Sequence, residues 1–243
     1  MKTCIFWFRR DLRLEDNTAL EAALGSGMPV LPVFIFDSNI LDDLEKEDPR
    51  VSFIYTTLSY INDSLKKQGS GLHIVRGNPS TVWKKLIRDF NPGAVYFNRD
   101  YEPYAWERDS AVEKMLDGTK IEVRSFKDQV IFEGNEILKS DGQPYTVFTP
   151  YSRKWLQKFK EPETTSPAGK KESRRNFLKH DPAFPGLEEL GFRKSKIRVR
   201  PYDLSVIPDY DKQRNDPAAD RTSWLSPHLR FGTVSIREVA TKA

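Results

Sequence analysis

The first 125 residues place five short apolar runs, at residues 3–8, 30–36, 72–75, 94–97 and 121–126, between longer segments of helical periodicity. Strands that are apolar at nearly every position are buried on both faces, and connections long enough for a crossover helix join parallel strands. This alternation predicts an α/β fold: a doubly wound, Rossmann-like sheet of five parallel strands with helices on both faces. Helix starts punctuate it. Asp16 or Asn17 caps the first helix, and Asp48-Pro49 opens a long one to about Lys67, with Val51, Ile54, Leu58, Ile61 and Leu65 at helical spacing. Asn78-Pro79 and Glu102-Pro103 open two more.

The familiar nucleotide loops are missing. Residues 8–16 read FRRDLRLED where a G-x-G-x-x-G would stand, and no Walker A motif occurs. A ligand would therefore sit at the carboxyl ends of the strands by the general rule for open α/β sheets. Arg9, Arg10 and Arg13 with Asp11, Glu15 and Asp16 read as an ion-pair and capping network at the end of the first strand. The formal net charge of +4 permits a polyanionic partner without demanding one. The single cysteine, Cys4, lies in an apolar run, which excludes an internal disulfide framework and a cysteine-rich zinc site. No metal site is expected. Lys2 precedes an apolar run that soon meets Arg9 and Arg10, so no signal peptide is read, and no stretch approaches a membrane span. A cytoplasmic monomer is expected.

Beyond residue 126 the pattern changes. Turns are expected at Glu133-Gly134 and Asp141-Gly142, the second able to close a small hairpin. Residues 160–208 carry prolines and the basic clusters Lys170-Lys171, Arg174-Arg175 and 193–200, and read as a linker that wraps one domain and leads to the next. Residues 210–239 then pack three helix starts into a short stretch: Asp216-Pro217, Ser226-Pro227 with Gly232 as a left-handed stop, and Ser235 with Glu238 as a capping box. Hydroxyls clustered at helix starts suit an anion such as a pyrophosphate; ordinary caps are the alternative. His228 reads as structural. The helix opened at Ser235 is short when the sequence stops at Ala243, and its face of Ile236, Val239 and Ala240 has no downstream partner. The chain is therefore expected to be the first part of a longer protein.

Four segments resemble the DNA photolyase/cryptochrome family in order along the chain: IFWFRRDLRLEDNTAL (5–20), NRDYEPYAWERD (98–109), YTVFTPYSRKW (145–155) and TSWLSPHLRFGTVSIREV (222–239). The resemblance implies an antenna domain at 1–130, an interdomain linker at 131–204, and the start of a helical FAD-binding domain at 205–243. It implies FAD held by Tyr210, Thr222, Ser223, Trp224, Leu225 and Ser226, and damaged DNA met by Arg214. A second, light-harvesting chromophore would fall among Phe36, Asp37, Arg50, Phe53, Ile54, Asp100, Glu102 and Tyr104. The family's folate pattern has Asn-Glu where this chain has Tyr104-Ala105, so a deazaflavin or flavin is expected there instead of folate. The implied activity is blue-light-driven repair of UV-induced pyrimidine dimers by a deoxyribodipyrimidine photo-lyase. Its catalytic residues, around the flavin ring, are expected beyond Ala243, so residues 1–243 alone are expected to be inactive. A cryptochrome photoreceptor, or a non-catalytic nucleotide-binding α/β module, is the alternative. Residues 1–243 alone are also expected to hold FAD at the 222–226 cluster weakly, because helices without a partner surface cannot fix the hydroxyls.

Overall fold

Every apolar run becomes a strand and every cap-plus-proline signal of the first 125 residues becomes a helix. The computed structural model describes residues 2–160, 176–216 and 218–242. The Lys170-Lys171 and Arg174-Arg175 clusters, and Pro217 of the Asp216-Pro217 start, lie outside the described residues. So does Ala243, beyond which the catalytic residues are expected. In chain order come β1 (Thr3–Phe8), α1 (Thr18–Leu24), β2 (Val30–Asp37), α2 (Ser38–Leu41), α3 (Pro49–Lys66), β3 (His73–Gly77), α4 (Pro79–Phe90), β4 (Pro92–Asn98), α5 (Pro103–Leu116) and β5 (Glu122–Phe126). Asn17, Asp48 and Asn78 each accept a backbone N–H two or three residues on, which satisfies a donor the first turn leaves free. Glu102 precedes Pro103 but makes no such bond; its carboxylate is used elsewhere.

The sheet is wholly parallel, in the order β3-β2-β1-β4-β5. Side chains alternate across it, so each central strand feeds two cores. Phe6, Phe8, Phe34 and Phe36 join Leu20 and Leu24 of α1 and Leu58 and Leu65 of α3 on one face. Ile5, Trp7, Val33 and Phe97 join Trp83 and Leu86 of α4 and Val112 of α5 on the other. The order reverses between β1 and β4, and the crevice at that reversal opens at the carboxyl ends of the strands.

After β5 the chain stays on this body. Asp141-Gly142 makes a tight turn closed by Gly142 N on Lys139 O, but no strands flank it, so the expected hairpin does not form. Helix α6 (Phe148–Phe159) follows, stacking Trp155 on Phe159 and against Phe132. Residues 176–178 pair with the start of β2, exchanging backbone bonds with Val30. Phe177, Leu190 and Phe192 then enter the α1/α3 core, and the segment continues past α3. Helices α7 (Tyr210–Gln213), α8 (Leu225–Phe231) and α9 (Ile236–Lys242) close the described chain. Gly232 stops α8 in the left-handed conformation and Ser235 caps α9, as the sequence predicts.

The expectation that the last helix lacks a surface is overturned. Val239 is buried, and Arg237 reaches back across the chain to Asp16 and Asp128. Asp128, fully buried just after β5, accepts from Thr18 N at 3.0 Å, Thr18 Oγ1 at 2.9 Å, Arg13 Nη2 at 2.6 Å and Arg237 Nη2 at 2.9 Å. Burial opposes its charge, yet the two guanidinium groups outweigh burial and hold its carboxyl below the ordinary range. A depressed folded value means stability that is present above the unfolded value of about 3.9 and lost as pH falls through the folded one. We therefore expect Asp128→Asn to cost about 3–5 kcal/mol by urea titration at neutral pH, because two buried guanidinium groups lose their shared anion. The gap between variant and parent should close in acid; a gap that persists unchanged to about pH 2 would contradict the assignment.

Candidate functional site

A cavity of about 600 Å³ opens at the carboxyl end of the sheet, within the range of small-molecule sites. Its floor is the ends of β1 and β2, through Trp7, Phe8 and Phe36. One wall is α2 and α3, through Ile40, Leu41, Val51 and Ile54, and the other is Ile197, Val199 and α8, through Pro227 and Phe231. The lining is mainly apolar, and its polar members are Arg9, Arg10, Arg50, Arg108, Arg230, Asp37, Asp100 and Ser226. Such a surface suits a planar, largely apolar ligand with anionic or acceptor edges.

The arginines are held by shared carboxylates. Arg9 pairs with Asp109, which also takes Arg108 at 3.0 Å. Arg10 reaches Asp100 at 2.6 Å and Glu102 at 3.2 Å, and Glu102 also takes Arg230 at 2.7 Å. Asp48 caps α3 and grips the Arg50 guanidinium, whose hydrogen bonds hold the Asp48 carboxyl below its ordinary range. Asp37 caps α2 through one oxygen and accepts from Tyr104 Oη at 2.7 Å through the other. Burial and that bond push the Tyr104 phenol up to about 12. Arg9 keeps Nε and Nη2, and Arg10 keeps Nε, buried without a partner.

Most predicted antenna residues converge here. Phe36, Asp37, Arg50, Ile54 and Asp100 line the cavity. Phe53 packs on His228 and Phe231 behind the wall, Tyr104 is tied to Asp37, and Glu102 joins two lining arginines. The residues expected for FAD divide. Ser226 lines this same cavity. Tyr210 is exposed on α7; Thr222 and Ser223 are half-buried, with Ser223 O accepting from Asp203 N; Trp224, in the left-handed conformation, lies under Arg200 at 4.3 Å; Leu225 opens α8. Arg214 is exposed at the end of α7. His228 is structural: its nitrogens meet Thr233 Oγ1 at 2.8 Å and Arg200 O at 2.9 Å. Among the described residues Arg9, Arg10 and Arg13 do form ion pairs, but with the distant Asp109, Asp100, Glu102 and Asp128 and not with Asp11, Glu15 and Asp16 as the sequence predicts; Arg9 and Arg10 line the cavity as well. Sequence reasoning missed Trp7, Arg108 and Arg230; the position of Trp7 at the end of β1 was the available signal. Among the described residues no group of three or more His, Cys, Asp or Glu is placed to hold a metal, and no helix is long and apolar enough to cross a membrane.

An open parallel sheet with helices on both faces and a cavity at the carboxyl ends of its strands defines a doubly wound α/β protein. The family described as DNA photolyase matches residues 4–169, and the chain belongs to it. It is 31% identical over 251 residues to a deoxyribodipyrimidine photo-lyase of Synechococcus, covering 96% of this chain and 52% of that protein. A bacterial class III photolyase from Agrobacterium tumefaciens superposes with TM-score 0.79 at 28% identity, over 100% of this chain and 53% of that one. An archaeal photolyase from Sulfolobus tokodaii, solved with two FAD molecules, superposes with TM-score 0.73 at 29% identity, over 98% and 54%. The chain thus spans about half the length of these relatives.

The α8 wall depends on a close approach. Gly232 has φ of +64°, and a Cβ there would lie 2.2 Å from Arg10 O. Phe231 O accepts from Leu12 N, and Gly232 O accepts from Arg13 Nη1. Gly232→Ala should cost more than about 2 kcal/mol, from left-handed strain plus overpacking. Amide exchange at Leu12 and in α9 should accelerate while the α4 and α5 amides stay protected; unchanged exchange at Leu12 would show that the contact does not hold the wall.

Proposed function

We propose that residues 1–130 form the light-harvesting domain of a blue-light flavoprotein, and that the cavity holds its second chromophore, a flavin or deazaflavin. The observation that carries this reading is the cavity itself, apolar on its broad walls and rimmed by arginines. The two FAD molecules of the Sulfolobus protein support it. Folate is disfavoured, because Tyr104 stands in the family's Asn position and spends its hydroxyl on Asp37 and Asn39. When bound, such a chromophore supplies blue-light absorption and passes its excitation to a second flavin. The chain's own part is to exclude water from the ring with Phe36, Ile54 and Phe231, and to meet its polar edges with Arg9, Arg10 and Asp37.

The second flavin is FAD in this reading, held by Tyr210 and Thr222–Ser226 together with residues equivalent to the remaining length of the relatives. The catalytic residues belong to that remaining length, beyond Ala243. Residues 131–204 serve as the linker between the two parts. Reduced FAD would donate an electron to a pyrimidine dimer in UV-damaged DNA, with Arg214 at the DNA surface, which makes the whole protein a deoxyribodipyrimidine photo-lyase. Several relatives at 30% identity or more are named photo-lyases, which supports this reading, although a cryptochrome also stands among the relatives. A cytoplasmic monomer fits the reading. Repair of a dimer-bearing oligonucleotide under blue light by the longer protein separates enzyme from receptor.

Titrating the chain with FMN should give one site with altered absorption. Ile54→Trp, which fills the cavity from α3, should weaken binding at least about tenfold, the cost of an overpacked pocket, while Thr222→Ala and Ser223→Ala leave it unchanged. Ser226→Ala does not separate the two sites, since Ser226 borders the cavity. Binding that ignores Ile54→Trp and falls with Thr222→Ala would move the ligand to the 222–226 cluster.

A further inference from the structure

An indole at the edge of a light-absorbing ring is a hazard. It can give one electron to the excited chromophore, becoming a radical cation while the chromophore gains that electron, and the excitation is lost when the electron returns. Trp7 is in that position, on the cavity floor and 2% exposed. Its surroundings are unusual. The Arg9 guanidinium lies 5.1 Å from the Trp7 ring centre and that of Arg108 lies 4.9 Å from it, both within cation–π range. Trp83 meets the same ring edge-on at 5.2 Å.

Charge balance sharpens the point. Each arginine of the Arg9–Arg13 stretch shares a carboxylate with a second arginine. Arg10 and Arg230 are matched by Asp100 and Glu102, and Arg13 and Arg237 by Asp128 and Asp16. Among the described residues Arg9 and Arg108 share Asp109 as their one ion-pair partner. Asp11 bonds to the backbone N of Arg9 and to Asn98, not to a guanidinium. Of these three clusters, the one with a single ion-paired carboxylate for two guanidinium groups is the one placed on Trp7; Asp11 lies near Arg9, but burial pushes its carboxyl up and so disfavours its charge.

We propose that Arg9 and Arg108 lock Trp7 against oxidation, so that a chromophore in the cavity keeps its excitation long enough to pass it on. A cation beside the indole disfavours the radical cation directly, and burial away from water keeps the field unscreened. The inference rests on the cavity holding a chromophore, as proposed above. Arg108 and Arg9 act through Trp7 and are positioning residues here; they take no part in bond chemistry.

The test is the fluorescence lifetime of FMN bound to the full chain. The parent protein should give a long lifetime. Arg108→Met, which keeps the stem and removes the charge, should shorten it on the order of tenfold. Arg108→Lys should restore it, and so should Trp7→Phe added to Arg108→Met. Equal lifetimes in the parent and Arg108→Met, both with FMN bound, would overturn the inference while leaving the cavity assignment intact. Recovery with Tyr104→Phe in place of Trp7→Phe would also overturn it, because Tyr104 lies 6.0 Å from the same guanidinium and would then be the donor. No FMN binding by the parent would remove the cavity assignment and the inference together.

Discussion

One buried carboxylate, Asp128, fixes how the end of this chain meets its beginning. It draws donors from the loop after β1, from the first turn of α1 and from α9. An anion with no exposure survives only when its lone pairs are filled by charged or well-placed donors, and here four donors do so. The arrangement brings α9 to the carboxyl end of the sheet, beside the loop after β1 and the first turn of α1. Arg13, which pairs with Asp128, also donates to Gly232 O, so the same anchor borders the α8 wall that carries Arg230 and Phe231.

The site follows from the same electrostatics. Parallel strands end together, and the loops after β1 and β4 bring Arg9, Arg10, Asp100 and Glu102 to one rim. Carboxylate partners, some shared, let Arg9, Arg10 and Arg108 border an apolar cavity from within the protein, while Arg50 and Arg230 stand at its solvent edge. The hydroxyl of Tyr104, bonded between Asp37 and Asn39, ties α5 to α2 at the same rim.

The fold was legible because its signals are local. Asn17, Asp48 and Asn78 announce helices, and unbroken apolar runs announce buried parallel strands. The rim was legible in part, since strand ends can be located before the structure is known. What escaped depends on distant pairing. Nothing near Arg108 in the sequence says that it lies over Trp7, and nothing near Arg237 says that its partners are Asp16 and Asp128. Helix α6 escaped for another reason: Val147 offers no side-chain cap, and Pro150 follows two residues into the helix instead of standing directly after a capping side chain. The Asp141-Gly142 turn was legible, but a hairpin needs strands that its neighbours do not form.

The bond between Arg237 and Asp16 joins positions 221 residues apart. During synthesis the chain emerges from its amino end, so β1 to β5 are available for collapse well before Arg237 exists. Asp128 can take Arg13 and Thr18 at once, whereas its bond from Arg237 must wait. Assembly on the ribosome is therefore ordered: the sheet can form first, and the α8 wall of the cavity is added after it. A small molecule that arrives before that moment would meet the β1, β2, α2 and α3 sides of the cavity without its α8 wall.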